Sequence, residues 1–121
     1  MGIGSERQYS FFFRQCFLGP PDSPTNVQLG DITRNRVNIS WSPGRNNNSP
    51  IKKIFIQYAT TFNPNKWIDF KAVDNGAWVT KAELVLSPWA EYRFRLIAMN
   101  GVGNSTPSAS SSIIKTPPAG E

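Results

Sequence analysis

The chain has no histidine and a single cysteine, Cys16. No imidazole is present to act as a general base, and no Cys/His set can close around zinc. One thiol forms no internal disulfide, so the fold has to be held by its own core. Charged residues make up 17% of the chain, and no run of 18 apolar residues occurs that would cross a membrane as a helix. No segment carries a convincing 3.6-residue hydrophobic period, so long helices are not expected. Phosphate-cradling loops and the RGD tripeptide are also missing.

The carboxylates are scattered, and none pairs with a neighbour in a way that suggests acid–base work. Asp69 and Asp74 are closest within the patterned region. They read as a solvated strand residue and a turn residue ahead of Asn75-Gly76. No catalytic, cofactor-binding or metal-ligating residue is assigned, and the chain is read as non-enzymatic. The formal net charge of +5 favours acidic surfaces in general. Nucleic acid is not expected as a partner, since no dense basic stripe, aromatic platform or reading helix accompanies the charge.

With 121 residues there is room for one domain. Residues 1–19, MGIGSERQYSFFFRQCFLG, differ in texture from the rest. Arg14 and Gln15 interrupt their apolar cluster, so they lack the unbroken core of a signal peptide. They are read as a disordered leader of vector or splice origin, or as the end of a preceding linker. Proline-rich GPPDSP opens the domain proper and TPPAG closes it, giving boundaries of 20–118 and a tail of 119–121.

Between those brackets the hydrophobic pattern alternates. Val37, Ile39 and Trp41 share one face of a run, as do Ile54, Ile56 and Tyr58 in the next. Ala82, Leu84 and Leu86 follow, then Tyr92, Phe94, Leu96 and Ala98, and a weaker run spans residues 110–116. Period-two alternation is the mark of half-buried strands. SPGRNNNSP, FNPN, DNG, SPWA and NGVGNS supply the turns between them. The expected fold is all-β, a seven-stranded antiparallel sandwich of two sheets.

Leu86, Pro88 and Tyr92 have the spacing of a tyrosine corner. The leucine ends one strand inward, the proline sets the turn, and the phenol opens the next strand. Its hydroxyl returns to upstream backbone for about 1 kcal/mol net. Trp41 is large enough to bridge sheets about 10 Å apart. Trp41, Leu86, Pro88, Tyr92 and Phe94 are therefore read as core and corner rather than as binding residues.

P-x-x-V, S-W-S-P, S-P-I and L-x-L-x-P-x-x-x-Y-x-F-R-L-x-A-x-N-x-x-G, followed by T-P-P, resemble a fibronectin type III domain across Pro21 to Pro118. The Cys…Trp…Cys set usual in immunoglobulin domains is missing. NNNSPIKKIFIQY, FNPNKW and LSPWAEYRFRLIAMNGVGNSTPS are similar to the fibronectin repeats of neuroglian- and neurofascin-type neural adhesion receptors, the first repeat above all. Contactins and sidekick-type receptors have related repeats. Ile54 stands where many such repeats carry an aromatic. The resemblance implies an extracellular module of a membrane-anchored receptor, with immunoglobulin domains ahead of it. It implies protein partners: neighbouring immunoglobulin or fibronectin domains and adhesion ligands.

Three N-x-S/T sequons occur, at Asn38, Asn47 and Asn104. Asn47, in a polar loop, is the preferred glycan site, then Asn38, while Pro107 lowers the use of Asn104. Arg93 and Arg95 alternate outward. The family topology brings them to Trp67 on the next strand, for cation–π contacts of about 0.5–1 kcal/mol each when exposed. Their expected role is to cover the sheet. The alternative is a basic face widened by Lys52, Lys53, Lys66 and Lys71 that binds a sulfated glycosaminoglycan. A further alternative is an intracellular structural fibronectin repeat, as in some muscle proteins.

Overall fold

In the strand from Arg36 to Ser42, Arg36, Asn38 and Ser40 are exposed while Val37, Ile39 and Trp41 are buried. That alternation governs the whole fold. The computed structural model describes residues 17–118. Seven strands follow in order: β1 Thr25–Leu29, β2 Arg36–Ser42, β3 Lys53–Thr60, β4 Ile68–Asp74, β5 Lys81–Val85, β6 Glu91–Met99 and β7 Ile114–Lys115. They form two antiparallel sheets, one ordered β1-β2-β5 and the other β4-β3-β6-β7.

The core lies between the sheets. Val37, Ile39, Trp41 and Leu84 come from one side, and Ile54, Ile56, Phe94, Leu96 and Ala98 from the other. Each large apolar side chain buried there contributes about 1.5–3 kcal/mol. Ile54 is fully buried, so an aliphatic side chain fills that place in the core. Trp41 places its indole Nε1 in the core with no hydrogen-bond partner among the described residues. The unmet donor costs about 1–3 kcal/mol, set against the area that an indole buries.

Tyr92, 7% exposed, closes the corner. Ser87 N donates to its hydroxyl at 3.2 Å, and Leu86 N donates to Asn35 O at 2.7 Å. Its ring stacks on Phe94 at 5.8 Å and meets Tyr58 edge-on at 5.6 Å. Phe70 of β4 completes the aromatic group against Tyr58 and Phe94.

β4 carries Phe70 and Val73 against the core, three residues apart. Its register against β3 shifts between Ile56 and Gln57, leaving Phe70 as the extra residue. The expected alternating run over 110–116 is also different in kind. Only Ile114 and Lys115 pair as a strand. Ahead of them, three buried serines spaced every third residue run along β6. The backbone N–H groups of Ser105, Ser108 and Ser111 donate to the carbonyls of Ala98, Leu96 and Phe94. Their hydroxyls accept from the N–H of the same three residues at 2.9, 2.9 and 3.0 Å. Each serine thus satisfies both main-chain groups of a β6 residue, its hydroxyl taking the place that a partner residue's carbonyl would have in a regular antiparallel ladder.

The leader expectation for residues 1–16 and the tail 119–121 lie outside the described residues. Phe17 to Gly19, expected in the leader, are fastened to the domain. Asn48 Nδ2 donates to Phe17 O, Gly19 N donates to Asn47 O, and Asn100 Nδ2 donates to Gly19 O.

Candidate interaction surfaces

The outer face of the four-stranded sheet is built by the odd residues of β3 and β6. Gln57 stands opposite Arg95, and Ala59 opposite Arg93. Trp67 immediately precedes β4 rather than lying within it. Its ring lies under both guanidinium groups, with Arg95 Cζ 4.6 Å and Arg93 Cζ 5.3 Å from the ring centroid. Ala59 is only 1% exposed although it belongs to this outer parity, so long side chains cover the sheet at that rung.

Polar contacts fix the guanidiniums. Arg95 Nε donates to Gln57 Oε1 at 2.8 Å, and Gln57 Nε2 donates to Asp69 Oδ1 at 2.9 Å. Arg93 donates to Pro64 O at 2.7 Å. Partial burial moves the Arg95 guanidinium below its usual range, far too high in any case for it to lose its charge near neutral pH.

The basic candidates do not form one patch. Lys53 pairs with Asp74 at 3.2 Å, so part of its charge is answered. Lys71 is a correction: it is not on this face. The register shift places it opposite Ile56, whose side chain is buried, and its Nζ donates to Glu83 O of β5 in the other sheet at 3.0 Å. It ties the open edge between the sheets, where a lysine also discourages edge pairing. Arg93, Arg95, Lys52 and Lys66 remain as the outward cations of the set.

The three sequon asparagines have distinct surroundings. Asn38 is exposed in the middle of β2, opposite Glu83. Asn104 is exposed and bridges Met99. Asn47 is half-buried, with a left-handed φ of 53°, and its Nδ2 donates to Pro20 O at 2.6 Å and Asp22 Oδ1 at 3.2 Å. That nitrogen is the atom a glycan would occupy, so a sugar at Asn47 competes with the fastening of the N-terminal segment.

Sequence reasoning missed Asn100. Only 3% exposed, it donates from Nδ2 to Gly19 O and Asn46 O, and accepts at Oδ1 from Val102 N and Gly103 N. One amide joins the N-terminal segment, the β2–β3 loop and the β6–β7 turn. Its signal was present in Asn100-Gly101, which reads as a generic turn. Among the described residues no group of three or more His, Cys, Asp or Glu is placed to hold a metal.

Strand order, sheet pairing and the tyrosine corner define a two-sheet sandwich of immunoglobulin-like class. The sequence matches the Fibronectin type III domain over residues 22–114, and the chain belongs to that family. It is 38% identical over 97 residues to Neurofascin of Gallus gallus, covering 79% of this chain and 7% of that protein. It is 39% identical over 101 residues to Contactin-6 of Homo sapiens, covering 81% of this chain and 10% of that protein. The chain therefore spans a tenth or less of these relatives.

Among solved structures, it superposes on the chicken CNTN1 FN1-FN3 domains with a TM-score of 0.74 and 36% identity, covering 82% of this chain and 34% of that one. Domains A168-A170 of titin give a TM-score of 0.71 at 27% identity, covering 80% and 32%.

Proposed function

We infer that the chain is a non-catalytic, extracellular module of a cell-adhesion receptor, acting as a spacer between neighbouring domains and offering surface for protein contact. The observation that carries this reading is the alignment with Neurofascin and Contactin-6 across about four-fifths of the chain at 38–39% identity. The build of the domain agrees with it. The apolar interior is filled, the carboxylates Asp69 and Asp74 are turned to Gln57 and Lys53, and proline-rich segments at both ends limit bending between serial domains. Its work is mechanical and interfacial, and the parent is anchored to the plasma membrane.

The test is cell-surface biotinylation of the tagged full-length gene product in a secreting eukaryotic cell, with amidase treatment of the labelled fraction. Surface labelling and loss of glycan mass are expected, with Asn38 carrying the sugar in preference to Asn47. A protein that stays inside the cell without glycan contradicts the reading and favours an intracellular structural repeat. A glycosaminoglycan-binding role has the narrower basis of Arg93, Arg95, Lys52 and Lys66. Elution from immobilised heparin at or below physiological salt removes it.

A further inference from the structure

Trp89 is anomalous. It stands in the turn between β5 and β6 with a left-handed φ of 59°, and it is 77% exposed. A bulky residue in that conformation costs about 1–2 kcal/mol. Leaving an indole in water forgoes about 2 kcal/mol of burial as well. Its N–H donates to Pro117 O at 3.3 Å, so the turn is held to the last described segment. The side chain is left as the wall of a groove of about 590 Å³, lined with Ile32, Ala90, Thr116, Pro117 and Pro118. The Glu91–Lys115 ion pair, at 3.4 Å, forms its polar rim. A smaller groove of about 240 Å³ adjoins the same indole, with Phe62 on its wall at 93% exposure.

We propose that this end of the sandwich is a docking site for the module that follows in the parent protein, with Trp89 as its apolar anchor. The proposal rests on the reading of the chain as one module of a serial array. Location identifies the occupant. The groove is lined by Pro117 and Pro118, the last described residues, so the described chain ends at this groove. A proline-rich stem extends about 3.1 Å per residue and keeps direction over several residues. A module carried on it is held at an effective concentration in the millimolar range, enough to populate a contact too small to hold a free partner. Contacts between domains of one chain bury about 600–1,500 Å². The aligned region is a tenth or less of the length of the matched relatives, which leaves room for such a neighbour.

Hydroxyl-radical footprinting read by mass spectrometry tests this on the full-length gene product and on the present chain alone. Ile113 is the internal reference: it is 56% exposed and lines neither groove. Oxidation of Trp89 and Ile32 is expected to fall at least about threefold in the full-length protein relative to the isolated chain, with Ile113 unchanged. In a full-length Trp89→Gly variant, Ile32 should lose its protection. Equal oxidation of Trp89 in both proteins, with a module present after Pro118, overturns the docking site and leaves the array reading intact. A gene product with no following module overturns both. Protection that appears in the isolated chain as its concentration rises identifies a second copy as the occupant and also overturns the proposal.

Discussion

The two ends of the sandwich are fastened in opposite ways. Where the chain comes in, five of the seven residues from Phe17 to Ser23 are bonded down: Asn48 takes Phe17, Asn100 takes Gly19, Asn47 takes Pro20, Arg45 takes Asp22, and Ser23 reaches Thr106. Gly44 lets this segment lie close, since a Cβ there would fall 2.6 Å from Asp22 O and 2.7 Å from Ser23 O. At the exit, Thr116 holds Ala90 and Ser87, and Pro117 O holds the Trp89 amide. Beyond those bonds the exit presents a tryptophan and an open groove. Polar bonds hold the entering segment at the N-terminal end, although Trp78 stays 84% exposed there, whereas at the exit the exposed Trp89 borders a groove. The first end is closed over the entering chain by its own bonds, and the second keeps an open groove beside the departing one.

The strongest way to break this contrast is Asn100→Ala. The variant removes four hydrogen bonds and strands the Gly19 carbonyl and the Val102 and Gly103 N–H groups, for an expected loss of about 2–3 kcal/mol in urea unfolding. Ser108→Ala tests whether the serine series stands in for a strand. It leaves the buried Leu96 N–H without its hydroxyl and should cost about 1–2 kcal/mol. Tyr92→Phe keeps the ring and removes only the acceptor for Ser87 N. It should cost about 1 kcal/mol, or a Tm about 4–8 °C lower.

The smallest effect concerns pH. Hydrogen bonds from Arg45 and then Asn47 hold the Asp22 carboxyl below its ordinary value. The sign follows: its contribution is present above the ordinary carboxylate range and is lost as pH falls through the lowered folded value. Solvent screening keeps it small. An NMR titration should show the Asn47 side-chain amide shifting with Asp22 in acid, and Asp22→Asn should abolish that shift.

The strands with clean period-two patterns were legible in the sequence, and so was the corner. Val37, Ile39 and Trp41, and Tyr92, Phe94 and Leu96, advertise one buried face each. β4 escaped the pattern because its bulge spaces Phe70 and Val73 by three, and the same bulge sets Lys71 away from the basic face that it was expected to widen. Residues 105–113 were illegible as a strand because side-chain hydroxyls carry half of their pairing, with a period of three. The Trp67 contacts with Arg93 and Arg95 followed from topology combined with parity. Asn100 and the exit groove did not, since each depends on loops meeting across long sequence separations. Asn100 and Gly19 are 81 residues apart.

The contrast between the ends is tested most directly by paired urea unfolding of Asn100→Ala and Trp89→Gly in this chain. Asn100→Ala should lose about 2–3 kcal/mol, while Trp89→Gly, which deletes a far larger side chain and relieves a left-handed backbone, should stay within about 0.5 kcal/mol of the parent. A Trp89→Gly loss equal to or larger than that of Asn100→Ala would contradict the account, because the tryptophan would then belong to the packing of this fold and not to a surface kept open for another.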